Sequence, residues 1–191
     1  MSRPNTRDNI FDAALKLLSE KGFNASSVQD ITTEAGVPKG SFYNHFESKE
    51  ALGAEIIEFY GGRTSVRDIL TDRSLAPLAR LTKYFTTLNQ MMVDRSFEQG
   101  CLLGNFSAEL ADQSPLIRSH LATIYGKWTG NIEAVVAEGQ ADGSIPSDLD
   151  AHTIAACLLN GWEGATLRAK VERNGKAFDM FMEVVFRKIL K

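Results

Sequence analysis

Between Lys39 and Lys49 the chain crowds an ammonium, a hydroxyl, a phenol, a carboxamide, an imidazole and a second ammonium into one short stretch: Lys39, Ser41, Tyr43, Asn44, His45 and Lys49. Groups of these types can hydrogen-bond to phosphate oxygens, which set register, and to base edges, which carry sequence. Asn44 suits adenine N6/N7 and Lys39 suits guanine O6/N7. Phe42 and Phe46, four apart, form an apolar face expected to be core. The chemistry is recognition rather than bond making. The three histidines, His45, His120 and His152, are far apart, and there is no His-x-x-x-His, no Cys-x-x-Cys and no phosphate-binding glycine loop. Glu109 and Asp112 share a helical side, which reads as a solvated acidic face rather than as paired acid and base catalysts. No enzyme, no cofactor and no metal is therefore expected.

Local signals place these side chains on short helices. Ser27 followed by Asp30 is a capping pair that starts a helix near Val28. Val28, Ile31 and Ala35 fall at steps of three and four, and Gly36 supplies the left-handed residue that ends the helix after about two turns. Pro38 suits the first turn of the next helix, which runs from Pro38 or Lys39 through Phe46. Gly40 costs that helix about 1 kcal/mol against alanine, which makes sense where another backbone, such as a phosphate chain, must come close. Ser48 caps a further helix whose free N–H groups, beside Lys49, can receive an anion. Upstream, Ile10, Phe11, Ala14, Leu15, Leu17 and Leu18 recur at helical spacing from Thr6 to Lys21, and Gly22 ends them. The arm Met1 to Asn5, with Arg3, is read as a mobile tail.

Composition narrows this reading. The hydrophobic content of 43% excludes disorder, yet the net charge is −3 and the pI about 5.7, so the usual basic footprint of a nucleic-acid binder is missing. Six Lys/Arg in residues 1–49 (Arg3, Arg7, Lys16, Lys21, Lys39, Lys49) are offset by six Asp/Glu (Asp8, Asp12, Glu20, Asp30, Glu34, Glu47). Binding must rest on placement, with Arg3, Arg7, Lys39 and Lys49 toward DNA and Asp8 and Asp30 at helix N-termini. Two cysteines without a signal peptide make no disulfide scaffold, and no apolar run reaches the roughly 18 residues of a membrane span. A cytoplasmic protein without a membrane partner is expected.

Beyond Gly61-Gly62 there is no strand-like alternation, so the expected fold is all-α: a three-helix domain over residues 1–50 and a larger helical domain over 51–191. Its helices are predicted over Leu75 to Arg95, Gly104 to Gln113, Pro115 to Ala141, Asp150 to Glu172 and Lys176 to Leu190. Phe178, Phe181, Met182, Val185, Phe186 and Ile189 form one stripe of the last helix, while Met180, Val184 and Leu190 put apolar groups elsewhere on it. A helix apolar nearly all round needs partners on more than one side. The preceding helix offers small residues, Ala155, Ala156, Gly161, Gly164 and Ala165, and the large Trp162. Together they favour an isologous homodimer through the last two helices.

Gly22-Phe23, Ile31, Ala35-Gly36-Val37, Lys39-Gly40-Ser41-Phe42-Tyr43 and Phe46 with Ser48-Lys49-Glu50 form an ordered series, and the segment from Gly22 to Leu52 closely resembles the DNA-binding domain of the TetR family of bacterial transcriptional repressors. The resemblance implies that the second short helix is the recognition helix of a helix-turn-helix, lying in the major groove of a palindromic operator. Half-sites would lie about 34–36 Å or a multiple apart. It implies phosphate contacts for Ser27, Tyr43 and Lys49, and a base-facing surface of Lys39, Gly40, Ser41, Asn44 and His45, with packing the other reading of His45. It also implies a small-molecule inducer in the middle of the chain, for which Phe85, Leu88, Met92, Phe106, Tyr125, Trp128 and Trp162 are the candidate lining, each of which also reads as core.

The segment around Cys101 is similar to that of electrophile- and oxidant-sensing repressors of the family, in which the matching cysteine reacts. A position just ahead of a helix can lower a thiol pKa, but no Lys, Arg or His lies within five positions of Cys101 to hold a thiolate. Cys157 reads as structural. A helix-turn-helix used only for protein contact is the alternative class, and it would not need Lys39, Tyr43, Asn44 and Lys49 together.

Overall fold

The computed structural model describes residues 5–62 and 64–190, so the arm with Arg3 lies outside the described residues. Every described element is helical: α1 (Thr6–Lys21), α2 (Val28–Glu34), a 3-10 helix (Lys39–Asn44), α3 (Lys49–Gly62), α4 (Thr64–Thr71), α5 (Pro77–Asp94), α6 (Leu102–Leu110), α7 (Pro115–Ala141), α8 (Ala151–Glu172), α9 (Lys176–Val184) and a π-helical turn (Val185–Ile189). They form two compact units, Met1–Gly62 with Leu102–Ile124, and Arg63–Cys101 with Tyr125–Lys191. The first unit thus takes in α3, α6 and the start of α7, an association between segments distant in sequence.

In the first unit, Ile10, Ala14 and Leu18 line the inner face of α1 at steps of four and are fully buried. They meet Ile31, Phe42, Leu52, Ile56 and Ile57 in one core. Each such Leu, Ile or Phe contributes roughly 1.5–3 kcal/mol by leaving water, which is why so short a helix pair holds its shape. Asn5 caps α1 by accepting from the Arg7 amide, and Gly22 ends it at φ 86°. The Ser27–Asp30 pair forms the full capping box of α2, and its bonds from the Ser27 hydroxyl and amide hold the Asp30 carboxyl below its ordinary pKa.

In the second unit, Phe85 sits under Tyr84, Phe181 and Phe186, with ring centroids 5.3, 5.3 and 5.9 Å away. The Trp128 indole N–H donates to the Tyr84 hydroxyl at 2.6 Å, while burial pushes the Tyr84 phenol above its ordinary pKa.

Three elements differ from the sequence reading. The recognition segment is a 3-10 helix ending at Asn44, because only a few residues separate Pro38 from Phe46, and the tighter Ser41-to-Pro38 bond of 2.9 Å closes the turn. Helix α4 had no counterpart in the reading: Thr64–Thr71 is eight residues long, too short for clear periodicity. The chain ends in a π-helical turn rather than a continued α-helix. Its extra residue brings the Leu190 amide to the Val185 carbonyl at 2.9 Å, with Leu190 buried and Ile189, grouped by the 3.6-residue pattern with the Phe178 stripe, exposed.

Candidate nucleic-acid interface

The 3-10 helix is anchored by its apolar side and open on its polar side. Phe42 is fully buried, with its ring 5.2 Å from that of Tyr43 and 5.6 Å from that of Phe46. Lys39, Gly40, Tyr43, Asn44 and His45 are exposed, and Ser41 is half-buried. Tyr43 is 59% exposed, its ring edge-on to Phe42 on one side and open to water on the other. A Cβ on Gly40 would meet no atom within 4 Å, and Gly40 is not among the residues with positive φ. Among the described residues, neither a close neighbour nor the backbone conformation requires glycine there. By contrast, Gly36 takes φ 67°, which ends α2 as its type suggests.

The other basic side chains have inward tasks. Lys49 donates to the carbonyls of Phe23 at 3.0 Å and Ser26 at 2.8 Å, and its ammonium lies 4.1 Å from the centroid of the Phe23 ring. Burial lowers its pKa from the ordinary value, with Glu109 and Glu50 pulling the other way. The cation expected beside the free amides of α3 is instead turned back toward the α1–α2 turn. Arg7 is ion-paired with Glu55, and its guanidinium stands 5.0 Å over the Phe46 ring. The outward cation of the recognition segment itself is Lys39.

The structure separates the candidate inducer residues. Phe106 belongs to the first unit, 5.6 Å edge-to-face with Phe23. Phe85, Leu88, Met92, Cys101, Tyr125, Trp128 and Trp162 lie in the second. Trp128 stacks on Tyr125 at 6.3 Å and meets Trp162 at 5.7 Å, and the Trp162 N–H donates to Asn89 Oδ1 at 2.9 Å. Leu88 and Tyr125 are half-buried, and the others are buried. Cys101 is 3% exposed, and its thiol is hydrogen-bonded to Glu163. Burial raises the Glu163 carboxyl pKa, and its Oε1 is buried without a hydrogen-bond partner. A carboxyl is the opposite of the cation that lowers a thiol pKa. Cys157, read as structural, is exposed on α8.

Three residues take part in contacts that the sequence does not signal. Glu109 is half-buried and accepts the Asn24 amide at 2.7 Å, so it is not a solvated acidic face. Glu163 faces Cys101 from 62 positions away. Neither contact has a local sequence signal. Asn24 enters through its backbone, for which no side-chain type is diagnostic.

Comparison with known proteins decides the family. The profile described as bacterial regulatory proteins, tetR family, matches residues 10–56, and that described as tetracyclin repressor-like, C-terminal domain, matches residues 77–185. The HTH-type transcriptional repressor DhaR of Mycobacterium sp. (strain GP1) is 41% identical over 192 residues, covering 100% of this chain and 95% of DhaR. The chain belongs to the TetR family. The transcriptional regulator AcuR of Cereibacter sphaeroides is 36% identical over 166 residues, covering 86% of this chain and 76% of AcuR. The crystal structure of regulatory protein TetR from Rhodobacter sphaeroides superposes with a TM-score of 0.88 at 33% identity, covering 95% of this chain and 97% of that one. As a TetR-family member the chain is a ligand-responsive transcriptional repressor that acts on operator DNA through its helix-turn-helix. Among the described residues no helix is long and apolar enough to cross a membrane, and no group of three or more His, Cys, Asp or Glu is placed to hold a metal.

Proposed function

We propose that residues 1–50 read a palindromic operator through Lys39, Gly40, Ser41, Asn44 and His45, with phosphate contacts from Ser27 and Tyr43, and that the repressor works in the cytoplasm. The observation that carries this reading is Gly40: an exposed glycine with no intrachain reason to be glycine, inside a row of outward hydrogen-bonding side chains. Lys49 supports the row from behind by holding the turn before α2. Residues 51–191 pair two chains through the outer faces of α8 and α9, and a small-molecule inducer binds among the aromatic side chains near Trp128 and Trp162. The buried, carboxyl-flanked Cys101 suits reversible inducer binding better than thiolate chemistry.

Operator titrations with point variants test the assignment. Tyr43→Ala is expected to weaken binding about tenfold without altering the melting temperature, since the ring is exposed and its hydroxyl meets a charged oxygen. Lys39→Ala should lower the slope of log K against log salt by about 1 if it meets a phosphate, and should relax base preference at one position if it meets guanine. Lys49→Ala, unlike either, should lower the melting temperature together with the affinity. Wild-type affinity in Tyr43→Ala and Lys39→Ala alike would remove the recognition segment from the interface.

A further inference from the structure

The turn that precedes α2 is braced by side chains from elsewhere in the first unit, among them Phe106 and Glu109 of α6. Its Oε2 accepts the Asn24 amide at 2.7 Å. Its Oε1 fills the space where a Cβ on Gly22 would stand, so Gly22 answers both to its φ of 86° and to the carboxylate. The Phe23 ring between them is packed by Phe106 of α6, and Gly53 leaves room for it: a Cβ there would come within 2.9 Å of Phe23 Cε2. Lys49 takes the Phe23 and Ser26 carbonyls, and the Ser26 hydroxyl donates to the Gly22 carbonyl at 2.9 Å. The next residue is Ser27, the cap that sets where α2 begins and hence where the recognition segment sits. Removing Lys49 or Ser26 would disturb the chain near its own helix ends. Glu109 is 85 positions away from Asn24 and meets the N-terminal segment at this turn.

We propose that Glu109 is a positioning residue for operator recognition: its carboxylate, acting as acceptor for the Asn24 amide, fixes the α1–α2 turn and through it the direction of α2. It meets no DNA. Three variants separate geometry from charge. Glu109→Gln keeps an acceptor oxygen at the same reach, Glu109→Asp keeps the charge but withdraws it by one methylene, and Glu109→Ala removes both.

With a duplex selected from a random pool by the wild-type protein, affinity should fall about tenfold for the Asp and Ala variants and stay within about threefold for Gln, the loss being that of a hydrogen bond to a charged acceptor. The salt slope should not change, because no phosphate contact is lost. Hydrogen exchange at the Asn24 amide should accelerate in Asp and Ala but not in Gln. The proposal is overturned if all three variants bind like the wild type while Asn24 exchange accelerates. It is also overturned if Gln falls as far as Ala, since the charge beside Lys49 would then be what matters. Should Ala fail to fold, the Asp and Gln variants by themselves distinguish these outcomes, because Asp loses the reach and Gln loses only the charge. Selection of no duplex by the wild type would sink operator recognition itself, and this proposal with it.

Discussion

Changing Leu167 and Val171 together to glutamate is expected to convert the repressor from dimer to monomer and to weaken operator binding by about 10²–10⁴-fold, the range over which linked half-site binding exceeds single-site binding. The two side chains stand four apart on α8 at 66% and 75% exposure, and α9 adds the exposed Met180, at 69%, and Val184. Large apolar groups this exposed are the basis for proposing this face as the association surface. Gly164, one turn before Leu167, would meet nothing within 4 Å if given a Cβ, leaving a flat strip where a second helix can approach. Gly161 is different: a Cβ there would come within 3.3 Å of Phe181, so its smallness serves intrachain packing. In an isologous pair each carboxylate is brought toward its own copy, and like charges so placed cost several kcal/mol. Sedimentation should move from twice 21.0 kDa to 21.0 kDa, with helix content unchanged because the altered side chains are already exposed within one chain. A variant that sediments as a dimer and binds like the wild type would exclude this face.

The contrast with Tyr43→Ala is instructive about what a sequence can convey. Local signals were enough for the reading head: Ser27 and Asp30 form the capping box they spell, Gly36 takes the left-handed conformation, and Phe42 is buried. The same holds where a boundary is written in adjacent residues, as at Ser114-Pro115, which opens α7. It fails where the partner is distant. Nothing next to Lys49 in the sequence announces its bonds to the Phe23 and Ser26 carbonyls, and Glu109 looks solvated until Asn24 arrives. It fails again where backbone hydrogen bonding departs from the ideal period, as in the π-helical turn that buries Leu190 and leaves Ile189 exposed. The near-zero charge of the N-terminal segment acquires a structural account from the same contacts. Arg7, Lys16 and Lys49 are engaged by Glu55, Glu34 and two carbonyls, so the outward charge of the interface rests on few residues.

The second large effect concerns stability rather than recognition, and it centres on Arg80. This residue is 3% exposed; its Nη1 donates to the Leu70 carbonyl at 2.9 Å, its Nη2 is paired with Glu138, and its Nε is buried without a partner. Replacing Glu138 by alanine leaves that guanidinium buried and uncompensated, which is expected to cost about 3 kcal/mol, at the low end for a broken buried pair because Glu138 itself is part-exposed. For a chain of this length the melting temperature should fall by roughly 6–12 °C. Replacing both partners, Arg80→Met with Glu138→Leu, should recover most of the loss, since a well-packed apolar pair can match a buried ion pair.

The pH dependence fixes the mechanism. The hydrogen bond from Arg80 first, then the charges of Arg80 and Arg73, hold the Glu138 carboxyl below its ordinary pKa. A depressed folded pKa means that the contribution is present above the unfolded value, about 4.3, and is lost as pH falls through the folded value. Melting curves of wild type and Glu138→Ala should therefore differ at neutral pH and converge in acid. Parallel curves at every pH would show that Arg80 is stabilised by the Leu70 carbonyl and packing alone, and that Glu138 is a surface charge.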